Sequence, residues 1–324
     1  MKKIIIIPFI IFITVITIIN PALAQTVSLG ISPPIVEMVV KPGKSLLIAY
    51  NVENYGDPVI LEASIKSFEP KDSFGNINIL NDLNGPIRFS LDNSDLQLEQ
   101  PFLVKTKANQ QLLLRIRVPE GAPEGDYYYS ILVKSQPNHL SDQSTQAAAS
   151  ATIGSNILIT VSNNGKIDVN GKITGFDVVP RFLLNLFQNQ IRIFDSTDNI
   201  PVILRVQNNG QNLFKPEGEI ELTGNFGEKA TFDIIPQNVL GNSSRVLVAS
   251  SEAAFENGNR SSLLLKGFFI GKYKLSTSLS FGQGLPNTYA AVTFYAIPIK
   301  LGFGLLVALG VGIFLIKRFK NQDE

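Results

Sequence analysis

The chain reads "YNVENYGDPVILEASI" at residues 50–65 and "RVQNNGQNLFKPEGEIEL" at residues 205–222. Each phrase is an alternating apolar run, then Asn-x-Gly, then a second alternating run. Gly56 and Gly210 lie 154 residues apart. Asn and Gly tolerate positive φ, so both phrases predict a turn between two strands. A second landmark follows each phrase: "EGDYYYSILV" (124–133) and "IGKYKLSTSL" (270–279), both Gly-x-Tyr opening a strand. The spacing is 69 residues from Gly56 to Gly125 and 61 from Gly210 to Gly271. Two landmarks in the same order at similar spacing indicate an internal repeat.

The rest of the body alternates in the same way: "SLLIAYNV", "QLLLRIRV", "NILITVS", "QIRIF", "VILRV" and "YKLSTSLSF". Such β-rich runs, broken by Gly, Pro, Asn and Asp, predict strands. The one segment of ambiguous type is "RFLLNLF" (181–187). Gly-x-Tyr at the start of a late strand matches the tyrosine corner of immunoglobulin-like sandwiches. On that reading Tyr127 and Tyr273 bury their rings and hydrogen-bond backbone. Alternation puts Tyr129, Ile131 and Val133 inward with Tyr127, and Tyr128 outward. The expected fold class is all-β: two tandem immunoglobulin-like β-sandwiches, residues 25–164 and 165–296. They join near the polar, Gly-rich "SNNGKIDVNG" (162–171), and "SDQSTQAAASATIG" (141–154) is a loop of the first domain.

The ends speak to location. Lys2 and Lys3, the apolar run Ile4–Ile19 and Ala22-Leu23-Ala24 form the three parts of a secretory signal peptide, residues 1–24. No Cys follows the run, which excludes a lipoprotein anchor. Residues 297–316 are predicted as a transmembrane helix about 30 Å long, interrupted only by Pro298 and by Lys300, whose ammonium is expected to snorkel outward. Lys317, Arg318 and Lys320 follow, which assigns residues 317–324 to the cytoplasm. Gly302, Gly304, Gly310 and Gly312 could admit a second helix. The expected localisation is a plasma membrane, single-pass, with the N-terminal part outside.

Composition excludes several classes of function. Taking Lys2, Lys3, Lys300, Lys317, Arg318 and Lys320 from 28 cationic residues, and Asp323 and Glu324 from 27 anionic ones, leaves 22 against 25. The resulting net of −3 provides no basic field for nucleic acid. With no Cys, there is no disulfide and no thiol catalysis. With a single His, His139, no conventional zinc site can be assembled. A Ser–His–Asp hydrolase would need His139 with Ser130 or Ser135, in a polar loop ill suited to orienting an imidazole. "PGKS" (42–45) lacks the upstream Gly of a phosphate loop, since residue 38 is Met, and is a turn. Glu69, Asp72, Asn76, Asn78 and Asp82 offer oxygen ligands for calcium without the spacing of a dedicated loop, and a hairpin turn accounts for them. "NSS" (242–244) and "NRS" (259–261) match the N-glycosylation pattern. No residue is assigned to catalysis, cofactor or metal, and the chain is read as no enzyme.

The layout resembles the WxL-interacting proteins of bacterial surfaces. The likeness lies in "PPIVEMVVKPGKSLLIAYNVEN" (33–54), "VPEGAPEGDYYYSILV" (118–133) and "NNGQNLFKPEGEIEL" (208–222), in order over nearly the full length. The chain departs from that family at Tyr127-Tyr128-Tyr129, where a Gly-rich strand is usual, and no binding residue carries over. The resemblance implies a cell-surface binding protein. Its first immunoglobulin-like domain would attach to peptidoglycan or another wall polymer, and its second would contact a surface protein. The alternative is a chaperone-like assembly factor in which an edge strand, 45–52 or 111–118, pairs with a partner's strand. An exported hydrolase is the third reading.

Overall fold

Alternating strands have one apolar face each, and two sheets laid face to face are the simplest way to bury it. The computed structural model of the protein does this twice. It describes residues 27–136, 150–180, 182–186, 189–249, 255–256, 259–282 and 284–320. These group into two compact units. The first lies within Met1–Phe68, Ile79–Pro123 and Tyr127–Asn163, and the second within Glu69–Asn78, Glu124–Asp126 and Asn164–Glu324.

The first sandwich comprises β1 (Leu29–Ser32), β2 (Ile35–Val40), β3 (Ser45–Asn54), β4 (Val59–Pro70), β5 (Ile77–Ile79), β6 (Arg88–Leu91), β7 (Pro101–Val104), β8 (Asn109–Arg117), β9 (Gly125–Gln136) and β10 (Thr152–Val161). One sheet runs β1-β3-β8-β6; the other runs β2-β10-β9-β4-β5, with β7 also on β4. Its core includes Tyr50, Leu61, Leu112, Leu114, Ile116, Ile131, Ile157 and Ile159, all fully buried. The second comprises β11 (Gly171–Val178), β12 (Phe182–Leu186), β13 (Asn189–Asp195), β14 (Ile200–Asn208), β15 (Glu217–Gly224), β16 (Lys229–Asp233), β17 (Ser244–Val246), β18 (Phe255–Glu256), β19 (Asn259–Arg260), β20 (Leu263–Leu265), β21 (Gly271–Ser280) and β22 (Thr288–Ile297). Here β11-β14-β17, with β20 on β14, faces β12-β13-β22-β21-β15-β16. In both units an early strand pairs antiparallel with the next long strand (β1 with β3, β11 with β14). In both, a strand between those two in sequence pairs parallel with the last one (β2 with β10, β13 with β22). The fold is all-β, two immunoglobulin-like sandwiches followed by one apolar helix, α1 (Ile299–Lys320).

Three local expectations need correction. The segment of ambiguous type at 181–187 supplies β12, half of a hairpin with β13. Ile297 is the last residue of a strand, so the helix begins at Ile299, after Pro298. The Asn-x-Gly phrases are not hairpin turns: β3 and β4 lie in different sheets, as do β14 and β15. None of the residues in Asn54–Gly56 or Asn208–Gly210 has positive φ.

What each phrase builds is an arch between sheets, held by a buried asparagine. Asn54 is 1% exposed. Its Oδ1 accepts the Gly56 N–H (3.0 Å), and its Nδ2 donates to the carbonyls of Asp57 (2.7 Å), Val104 (3.3 Å) and Lys105 (3.2 Å). Asn208, fully buried, does the same. Its Oδ1 accepts the Gly210 N–H (2.9 Å), and its Nδ2 donates to Asn212 (2.8 Å) and Val239 (3.1 Å). Only a side chain with donor and acceptor on one planar amide satisfies both sides of such a bend.

Asn54→Ala and Asn208→Ala each strand buried carbonyls and an N–H, and each should destabilise its sandwich by about 2–3 kcal/mol. Asn54→Asp, the same shape without the donor, should behave likewise. Urea unfolding of the purified chain in detergent, followed by tyrosine fluorescence, measures both.

Candidate functional site

The first sandwich is open along one side. Pro33 and Pro34, which lack N–H groups, follow β1, and the chain then crosses to the other sheet as β2. As a result β1 covers only Asn51–Asn54 of β3. The Val118 N–H donates to the Lys44 carbonyl (2.9 Å) and the Asn54 N–H to the Ala108 carbonyl (2.9 Å), so even-numbered residues of β3 face β8. The N–H and C=O of Leu47 and Ala49 therefore point away from β8 and meet no strand among the described residues. On β2, the bonds from Asn156 N–H to Pro34 C=O (3.2 Å) and from Ser162 N–H to Val40 C=O (3.0 Å) turn even residues toward β10. The backbone of Ile35 and Val39 faces outward.

Three exposed apolar side chains lie along this corner, Ile35 at 42%, Val39 at 49% and Leu47 at 51%, with the exposed Glu37 between the first two on the same face of β2. The turn Lys41–Lys44, which holds the first three residues of "PGKS", joins β2 to β3 with Gly43 at φ 78°. In the second sandwich the equivalent corner is filled. There β11 pairs along Val202–Asn208 of β14, and the β12–β13 hairpin adds a strand along Asn189–Ile193. Exposed apolar edges are templates for strand addition, and folds ordinarily blunt them with charge, Pro or a covering segment.

A second polar arrangement joins the second sandwich to α1. Asp195 closes β13 and is 3% exposed. Its Oδ2 accepts the backbone N–H of Lys300 in the first turn of α1 (2.8 Å), and its Oδ1 accepts from Thr197 N–H (3.1 Å) and Oγ1 (2.7 Å). The Lys300 ammonium donates to Thr197 Oγ1 (3.1 Å) and pairs with Asp198 (2.8 Å). The Lys300 ammonium thus reaches back from the start of α1 toward the sandwich. Asp195 acts as an N-cap supplied from a distant strand, satisfying a helix donor that nothing in α1 can reach. The Lys300 N–H and the Thr197 hydroxyl hold its carboxyl well below the usual carboxylate range.

The remaining sequence candidates are structural. Tyr127, half-buried, donates to the Pro123 carbonyl (3.0 Å), and Tyr273 accepts the Ile270 N–H (3.3 Å) and donates to Glu228 (3.2 Å). Both are tyrosine corners. Tyr129, Ile131 and Val133 are buried, while Tyr128 stacks on Phe68 with centroids 5.7 Å apart. Burial raises the Tyr129 phenol, whose hydroxyl donates to the Asn84 carbonyl (2.8 Å). Ser130 and Ser135 are buried: Ser130 donates to Asn156 (2.6 Å) and Ser135 accepts the Ala151 N–H (2.8 Å). His139 lies outside the described residues. Asp72 turns inward on its own hairpin, accepting Phe74 N–H (2.8 Å), Asn76 N–H (3.2 Å) and Asn76 Nδ2 (2.7 Å), while Glu69 accepts from Asn78 (3.0 Å). No group of three acidic or histidine ligands suited to a metal occurs among the described residues. Of the two edge-strand candidates, 111–118 lies in β8 up to Arg117, between β3 and β6, while the outer edge of 45–50 is open. Alternation could not distinguish them, because the crossing at Pro33 decides which strand loses its neighbour.

No protein-family model and no curated protein matches the chain. Among solved structures it is similar to the class 5 fimbriae chaperone CfaA, with 11% identity over 83% of this chain and 100% of that one and a TM-score of 0.36. It is also similar to the E. coli chaperone DraB, with 14% identity over 85% and 100% and a TM-score of 0.34. A third is the CsuC–CsuE chaperone and tip-subunit pre-assembly complex of Acinetobacter baumannii, with 12% identity over 83% and 99% and a TM-score of 0.35. At these values the likeness carries no inference about what this chain binds.

Because its folded-state pKa is depressed, Asp195 contributes stability above the ordinary Asp value of about 3.9 and loses it as pH falls toward the folded value. Asp195→Asn should therefore be less stable than the parent at pH 7. The gap should narrow on acidification to about pH 3, as read from denaturant midpoints at the two pH values.

Proposed function

We propose that the protein is a non-catalytic, membrane-anchored module that holds a partner protein by strand addition at the open corner of its first sandwich. The observation that carries this reading is the contrast between the two copies. The second sandwich fills the corner with its own β11 and β12, and the first leaves Ile35, Val39, Leu47 and Ala49 with outward backbone groups and apolar side chains. A partner segment with alternating apolar residues would continue the sheet by main-chain hydrogen bonds and cover those side chains. The helix α1 holds the module at the membrane, with the sandwiches outside and its basic C-terminal end, Lys317, Arg318 and Lys320, on the cytoplasmic side. Attachment to peptidoglycan is supported by the resemblance alone.

Val39→Pro and Leu47→Pro remove N–H groups that point away from the native ladders, so the sandwich should keep its stability to within about 1 kcal/mol. A photoreactive residue at position 47 of the full-length protein in cells should crosslink to a protein, and Val39→Pro should reduce that adduct at least roughly ten-fold. Saturable co-sedimentation with isolated wall sacculi that Val39→Pro leaves unchanged, without any protein adduct, would replace the strand-addition reading with polymer binding.

A further inference from the structure

The end of the second sandwich from which α1 departs carries an apolar collar. Strand registers define which residues share that end. Ile297 pairs with Asp195, Ala296 with Gly271, and Tyr273 with Gly224. The turn after β15, the segment before β21 and the end of β22 are thus neighbours, about 10 Å across at two strand spacings. On the facing sheet Ile200 pairs with Leu265, the Val179 N–H donates to the Pro201 carbonyl (2.9 Å), and the Phe269 N–H donates to the Ser196 carbonyl (2.9 Å). Those bonds place Val179 and the segment Lys266–Ile270 at the same end. Here Phe226 is 75% exposed, Phe268 56%, Ile297 47%, Val179 45% and Ile270 40%.

Single exposed apolar residues are ordinary. Five from four separate chain segments, gathered where an apolar helix leaves the domain, form a patch of the kind that marks an interaction surface. The geometry also fixes how that patch meets the bilayer. A single residue, Pro298, separates β22 from α1, and Asp195 and Asp198 hold the first turn of the helix by the Lys300 amide and ammonium. The domain cannot lift away on a linker, because none exists between strand and helix.

We propose that this end of the second sandwich is a lipid-docking surface, with Phe226, Phe268 and Ile270 seated in the interfacial layer around the helix entry. The proposal rests on the reading of α1 as a membrane span. Phe226 sits at the tip of the β15–β16 turn, its N–H donating to Glu228 Oε2 (3.0 Å), so its ring projects from a braced turn. Lys266 and Lys272, both exposed at this end, supply cations at headgroup level. An aromatic body with a braced base and flanking cations is what interfacial insertion to a depth of ~5–10 Å requires.

The chain contains no Trp, so each introduced Trp reports one site. The test uses the full chain carrying Phe226→Trp, Phe268→Trp, Tyr289→Trp or Phe303→Trp. Each is reconstituted into phosphatidylcholine–phosphatidylglycerol vesicles containing lipids brominated either near the headgroup or deep in the acyl chains. Tyr289, 72% exposed, lies at the opposite end of β22 and serves as the solvent control. Shallow bromines should quench positions 226 and 268 roughly two-fold, and leave position 289 unaffected. Deep bromines should quench position 303. Quenching at 303 with 226 and 268 behaving like 289 overturns the docking surface and leaves the span intact. Absence of quenching at 303 overturns the span itself. Quenching at one of 226 and 268 but not the other overturns the collar as a single surface.

Discussion

Asn54 and Asn208 stand where the chain leaves one sheet for the other, and a sandwich cannot close unless that departure is held. Each amide accepts the N–H of a glycine two residues on and donates to carbonyls that arrive from a different part of the sequence. Because both residues are buried, water cannot replace either bond. The bend thereby becomes a fixed point from which the direction of the following strand is set, and with it the facing of two apolar surfaces. The tyrosine corners at Tyr127 and Tyr273 repeat the principle later in each unit, anchoring a bend through a phenol hydroxyl that donates to the Pro123 carbonyl in one and accepts the Ile270 N–H in the other.

The alternation of Ser45–Asn54, Asn109–Arg117 and Gly271–Ser280 was readable as strands because period two survives any choice of neighbour. The repeat was readable for the same reason, and the apolar helix because length and composition suffice. Three things were not readable. Asn-x-Gly is compatible with a hairpin and with an arch, and only tertiary partners such as Val104 and Val239 distinguish them. Strand exposure depends on neighbours supplied from far along the chain, so "SLLIAYNV" gives no sign that its first half lacks one. The cap on α1 comes from Asp195, 105 residues before the amide it receives, beyond the reach of any local capping pattern.

The two sandwiches use one topology and distribute their first strands differently. In the first, the crossing at Pro33-Pro34 comes after four residues of β1, leaving half of β3 uncovered. In the second, β11 runs eight residues before the chain turns away. The side of the sandwich that differs is thus set by where a pair of imino acids interrupts one ladder, while both cores mix aliphatic and aromatic side chains, with Tyr50 and Tyr129 in the first and Phe194, Phe269, Tyr273 and Phe294 in the second. A duplicated fold acquires unequal roles most readily at its margins, where changing a strand's length costs no packing.

Pro298 has one more implication. With a single residue between ladder and helix, the rotational phase of α1 about its own axis is dictated by the register of β22. Each residue added or removed there would turn the helix by about 100° and advance it by about 1.5 Å. Gly302 and Gly310 lie about 80° apart around α1, Gly304 and Gly312 form a second such pair on the opposite side, and both faces consequently have fixed bearings relative to the sheet above. A companion helix meeting either face would approach from a bearing fixed by that sheet, so the pairing of two strands outside the bilayer sets the direction of encounters within it.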